Sequence, residues 1–208
     1  MESFFTRTPQ ATWPRPTGRL HIYAPVNAEV TAMAARYQGL LAARGLRELS
    51  RQPARWLHMS VEHLTRHLDE LTPDQLETLT GELRARLATV PAFSLQVGPA
   101  LVSAHSITLD AFPDQPWRQL RRAARSAAVA SLGDDAVAQT SGPGQPHVTV
   151  SYCTGHVDIE PHLSALSALR VGRAELPVQA VHLAAVEQHV GSGTYTWTSV
   201  AQIPLMQT

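Results

Sequence analysis

The chain has no lysine: all 17 of its basic residues are arginine, against 17 Asp and Glu. It can form no Schiff base through lysine, and its balanced charge announces no extended nucleic-acid partner. Cysteine occurs once, at Cys153, so neither an internal disulfide nor a cysteine-built zinc cluster is open to it. A single thiol of this kind reads as buried core rather than as a nucleophile. No apolar stretch is long enough to span a bilayer. The opening "MESFFTRTPQATWPRPTGRL" lacks the basic start and apolar run of a secretory leader. These absences lead us to expect a cytoplasmic protein with no cofactor, no metal and no membrane partner.

What is present is a chain able to bury a core. Hydrophobic residues at 44% and charged residues at 16% are the ordinary balance of a globular domain, and 208 residues suit one generous or internally duplicated unit. Two short stretches stand out within it. "LHMSVE" places His58 and Ser60 on one side of an extended strand, with Glu62, and Leu57, Met59 and Val61 on the other. "PHVTVSY" repeats the pattern 89 residues later: His147, Thr149 and Ser151 on one side, Val148, Val150 and Tyr152 on the other. His63 and His162 are also followed two positions on by a hydroxyl residue, but their surroundings break the alternation. Context selects the pair His58 and His147.

The rest of the chain reads as alternating elements. Residues 1–18, rich in Pro and Thr, form an irregular leader, and residues 19–208 a single duplicated domain. "RLHIYAPV" is a strand. Asn27 caps a helix that buries Val30, Met33, Tyr37, Leu40 and Leu41 and stops at Gly45. Thr72, Pro73 and Gln75 open a second helix with a capping box, and Leu76, Leu79, Leu83 and Leu87 hold its inner face. "FSLQVGPALVSAHSITLDAF" breaks at Gly98-Pro99 into a hairpin. A helix from Asp114 to Gly133 turns Trp117, Leu120, Ala124 and Ala128 inward. The loop "GDDAVAQTSGPGQP" leads into the second motif, a short helix spans 161–170, and a hairpin about Gly191-Ser192-Gly193 closes the chain. The order strand, helix, motif strand, helix, hairpin occurs twice, which argues an α+β fold.

If the halves face each other across a pseudo-twofold, His58 and His147 meet over a groove. Neutral imidazole accepts a proton and imidazolium donates one near neutral pH. Two opposed histidines therefore suit displacement at phosphorus, with Ser60 and Thr149 donating hydrogen bonds to the phosphate oxygens.

Those motifs, with Pro146 before the second histidine and the opening and closing strands, resemble the 2H phosphoesterase superfamily, which includes 2′-5′ RNA ligase-like proteins and cyclic nucleotide phosphodiesterases. The likeness spans residues 19–206 or so. It implies two pseudosymmetric lobes of antiparallel sheet with outer helices around a central cleft. The activity it implies is RNA processing at 2′,3′-cyclic phosphate ends of RNA or small nucleotides, by hydrolysis or, in some members, 2′-5′ ligation. It makes His58 the acid and His147 the base, without metal. One departure stands out: ligase-like bacterial members often carry Arg five residues after the second histidine, where this chain has Tyr152. A catalytically inactive RNA- or nucleotide-binding module is the alternative from another class.

Blander roles compete for the remaining residues. Ser60 and Thr149 can bond neighbouring backbone. His63 and His67, four apart, would share a helix face and invite zinc, but "HLTRH" lacks the Glu of a metalloprotease motif. Arg121, Arg122 and Arg125 read as a solvated helix face, while Arg51 and Arg55 precede the first motif and are better placed for a phosphate. Trp56, Tyr23 and Tyr152 suit either base stacking or core packing.

Overall fold

The computed structural model describes residues 1–8, 11–137 and 144–207. Eight antiparallel strands among them form one sheet: β1 (Arg19–Pro25), β2 (His58–His67), β3 (Phe93–Val102), β4 (Ser106–Phe112), β5 (His147–Tyr152), β6 (Ala174–Val178), β7 (Ala180–His189) and β8 (Thr194–Pro204). Four α-helices accompany them: α1 (Ala28–Ala43), α2 (Pro73–Leu87), α3 (Asp114–Leu132) and α4 (Leu163–Ala168). The spatial order is β6-β3-β4-β5-β2-β1-β7-β8, so the two motif strands, β5 and β2, lie side by side in the middle. Four strands flank that seam on each side as a lobe, and the architecture is the expected α+β one. None of the helices among the described residues is long and apolar enough to cross a membrane.

The helices form as their termini direct. Asn27 accepts from the Val30 N–H at the start of α1, whose Val30, Met33, Ala34, Tyr37 and Leu41 are buried. Thr72 and Gln75 complete the capping box of α2. α3 ends at Gly133, whose φ of +90° suits a residue without a side chain. Their apolar faces share one core with Leu20 and Ile22 of β1, Met59 and Val61 of β2, Leu109 of β4 and Val148 and Val150 of β5. That core covers one face of the sheet and leaves the other face to the motif side chains.

Two expectations need correction. Gly98-Pro99 does not end a strand: β3 runs through it with a register shift between Val97 and Ala100, and the hairpin turns at 103–105 instead. Gly98, at φ +107°, absorbs the irregularity without leaving the sheet. The short edge strand β6, paired with β3, was not expected; its alternating Ala174, Leu176 and Val178 are buried. Of the loop before the second motif, residues 138–143 lie outside the described residues.

The described residues among the first 18 form no strand, yet part of them is packed. Residues Phe4–Thr6 make one 3-10 turn, and Phe5 is buried with Tyr23, Ala184, Val186 and Tyr195 on the face away from the helices. The Phe4 N–H donates to the Cys153 carbonyl at 2.7 Å, and the Trp13 N–H to Gln188 Oε1 at 2.8 Å.

Candidate active site

The site is built on the central strand pair. Met59 and Val148 are antiparallel partners, which sets His58 across from Thr149 and Ser60 across from His147. Their apolar neighbours Met59, Val61, Val148 and Val150 are all 0% exposed. The four polar side chains therefore share the opposite face, and all four are half-buried. Diagonal neighbours on adjacent antiparallel strands stand about 7–8 Å apart at Cα, and His58 and His147 are such a diagonal pair.

Each histidine is held in the same way. His58 Nδ1 lies 2.7 Å from the Trp56 carbonyl and His147 Nδ1 lies 2.8 Å from the Gln145 carbonyl, in both cases two residues back. A carbonyl only accepts, so each Nδ1 carries the proton and each neutral ring keeps its lone pair on Nε2. The Trp56 carbonyl also accepts from Trp197 Nε1 at 3.1 Å, which ties the turn before β2 to β8. Burial pulls His58 down to about 4, against the bond to Trp56 and with His147 adding to the fall.

The alternation read from sequence holds as far as the hydroxyl residues and then changes. Between Ile22 and Tyr23 the β1–β2 register skips Val61, and between Ile107 and Thr108 the β4–β5 register skips Val150. Each motif strand thus carries one extra residue at the same place, directly after its hydroxyl residue. A bulge of this kind puts two successive side chains on one face. Glu62 and Ser151 turn inward, 1% and 0% exposed, and His63 and Tyr152 come round to the polar row. The expected placements of Glu62, Ser151 and Tyr152 are therefore reversed.

Arg121 and Arg125, expected as a solvated face, hold the first bulge from below. Arg125 Nη1 pairs with Glu62 Oε2 at 3.2 Å. Arg121 Nε donates to the Val61 carbonyl at 3.3 Å and its Nη1 to the Gly144 carbonyl at 2.8 Å, linking β2 to the approach to β5. The signal was present as two arginines four apart on a helix together with an unpartnered glutamate in a strand; the bulge that joins them was not visible.

His63 and His67 lie on a strand, so the helix face imagined for zinc does not exist. Among the described residues no three His, Cys, Asp or Glu side chains are grouped to hold a metal ion. Arg55 stacks on Trp56 at 3.7 Å, and Arg51 is exposed outside the polar row. The Cys153 thiol is buried, its Sγ 3.1 Å from the Gly155 carbonyl, and burial raises its pKa, as fits an inert thiol.

An α+β fold of two lobes, with a matched histidine and hydroxyl on each central strand, is that of the 2H phosphoesterases. The chain belongs to the 2′-5′ RNA ligase superfamily, whose sequence pattern matches residues 28–190; its activity is of the phosphoesterase or ligase type. Solved structures share the fold. TT0787 of Thermus thermophilus is 21% identical with a TM-score of 0.65, covering 91% of this chain and 98% of its own. Escherichia coli LigT complexed with 3′-AMP is 18% identical with a TM-score of 0.65, covering 92% and 99%. A structure described as a phosphoesterase is 19% identical with a TM-score of 0.62, over 92% and 99%. A search of curated proteins finds no sequence match.

Proposed function

We propose that the protein is a metal-independent phosphodiesterase that opens 2′,3′-cyclic phosphates at RNA ends or on small nucleotides. The observation that carries this reading is the matched tethering of His58 and His147, each with Nε2 free and a hydroxyl residue across the strand pair. A phosphate bound between the two rings would take a hydrogen bond of about 2.8 Å with each Nε2. Ser60 and Thr149 donate to its non-bridging oxygens. One imidazole takes a proton from water as the oxygen attacks phosphorus. The other, as imidazolium, protonates the ribose oxygen as its bond to phosphorus breaks, leaving a phosphomonoester. Escherichia coli LigT, which shares this fold, is complexed with 3′-AMP, which supports a nucleotide ligand.

The resemblance makes His58 the acid. Held at about 4 in the free protein, His58 needs help to keep a proton at neutral pH. An anionic phosphate against the ring supplies it, since opposite charge within a few ångström favours imidazolium. Substrate thus arms its own acid. A sugar hydroxyl attacking in place of water would give the 2′-5′ ligation open to the superfamily.

The test is a screen of 2′,3′-cyclic mononucleotides and cyclic-phosphate-ended oligonucleotides after dialysis against a strong chelator, with products located by phosphorus NMR. Opening to a monoester is expected. Binding without opening from pH 5 to 9 would decide for a nucleotide-binding module, and new 2′-5′ linkages for ligation.

A further inference from the structure

The two motif strands repeat each other down to the bulge and the Nδ1 bond, but the strands beside them do not. β4 sets Thr108 across from Thr149 and Asp110 across from His147. β1 sets Pro25 across from His58 and Tyr23 across from Ser60. The Tyr23 ring lies on the His58 imidazole with centroids 3.7 Å apart and planes at 18°. Among the described residues no aromatic ring packs on His147 in this way. The pseudosymmetry of the site is broken at Tyr23.

Tyr23 is itself immobilised. It is 2% exposed, and its hydroxyl lies 2.7 Å from His21 Nδ1. His21 is buried between His63, at 4.3 Å, and Trp13, at 5.3 Å. Trp197 meets the Tyr23 ring edge-on at 5.9 Å. A single bond from Nδ1 to a carbonyl lets an imidazole swing about that bond; a fixed aromatic plane against its face does not.

We propose that Tyr23, its ring held edge-on by those of His21 and Trp197, is a positioning residue that clamps the His58 imidazole and sets its role apart from that of His147. The inference rests on the two-histidine reading above. The clamp fixes where Nε2 stands relative to phosphorus and keeps water from one face of the ring. The other titratable groups that interact with His58 are His147 from β5, His21 from β1 and His63 from its own strand. Asp110, a carboxylate on this face, stands across from His147 instead. Burial beneath Tyr23, rather than a nearby anion, accordingly governs the titration of His58.

Tyr23→Leu removes the plane, whereas Tyr23→Phe keeps it and gives up only the hydroxyl. Two readouts apply: NMR titration of the His58 ring, and kcat and KM on a 2′,3′-cyclic mononucleotide. In the wild type the His58 ring protons should carry the upfield ring-current shift of a stacked imidazole. Tyr23→Leu should move the titration up toward the ordinary value and cut kcat about ten- to a hundredfold, with KM changed far less. Tyr23→Phe should restore both titration and kcat to within a few-fold of wild type, which a merely structural loss would not do. An unchanged titration or unchanged kcat in Tyr23→Leu overturns the proposal. So does the absence of the ring-current shift in the wild type, which decides the matter even if Tyr23→Leu does not fold. If the wild type opens no cyclic phosphate, the phosphodiesterase reading fails, while the NMR titration still reports whether Tyr23 sets the ring.

Discussion

Arg125 on α3 reaches up through the core layer to Glu62 on β2 and meets it at 3.2 Å, under a carboxylate only 1% exposed. Glu62 Oε1 also accepts from the His63 N–H at 3.1 Å, so this one side chain satisfies the backbone at the bulge as well as the arginine. Removing the cation alone leaves a buried carboxylate short of a partner. Arg125→Leu should lower stability by about 1–3 kcal/mol, since the arginine is itself partly exposed. Pairing it with Glu62→Leu should recover much of the loss. Urea unfolding midpoints at constant slope measure both. A double variant no more stable than Arg125→Leu alone would show that the His63 N–H, not the ion pair, is what Glu62 serves.

The legible part of this protein was whatever rests on local pattern. Asn27, Thr72 and Gln75 announce helix starts because their side chains bond the first N–H groups of the very segment they precede. The rows His58/Ser60 and His147/Thr149 announce a shared face because alternation is a property of one strand. Past Ser60 and Thr149 the reading failed, because a bulge exists only between two strands and neither strand's residues show it. Glu62, Ser151 and Tyr152 were misplaced for that one reason. The carbonyls of Trp56 and Gln145 left no trace either, since a backbone acceptor has no residue type. Arg121 and Arg125 looked solvated because their partners are 60 and 63 positions away in the chain.

Three histidines near the site are held neutral by burial: His21 well below its ordinary value, His63 pulled to about 3 and His58 to about 4. As pH falls below about 6.5 the unfolded chain takes up protons that the folded chain refuses. The stability they contribute is therefore complete above that pH and is lost from there down toward the folded values. Each such group costs about 1.4 kcal/mol per pH unit in that window. Urea midpoints should fall steeply from pH 6.5 to 4, and His63→Phe should flatten the fall. An equal slope in that variant would exclude His63 as a contributor.

The packed part of the N-terminal segment should matter to stability. Phe5 is 3% exposed and sits 6.0 Å from the Tyr152 ring and 6.1 Å from that of Tyr195. Phe5→Ala should cost about 3 kcal/mol, within the range for burying and then deleting a phenyl ring. Calorimetry would register it as a Tm several degrees lower. A Tm within a degree of wild type would mean that this segment does not dock on β5 and β8 in solution.

The final prediction separates two imidazoles acting as one device from two that act independently. Proton removal and proton delivery belong to the same displacement, so losing either ring halts it. Each positioned acid or base contributes about 10²–10⁴ in rate, and His58→Ala and His147→Ala should each lower kcat by that order. The double variant should be little slower than either single one, because the second loss finds nothing left to disable. Ser60→Ala and Thr149→Val should be milder, since each gives up one hydrogen bond to phosphate and leaves both proton transfers in place. The pH profile carries the same signature. In kcat/KM, which reports the free enzyme, the arm belonging to His58 should lie near 4. In kcat, which reports the complex, that arm should move upward, because bound phosphate holds the proton on the ring. Single variants whose losses multiply in the double variant, or an arm that stays in place between the two profiles, would show that His58 and His147 do not share one substrate phosphate.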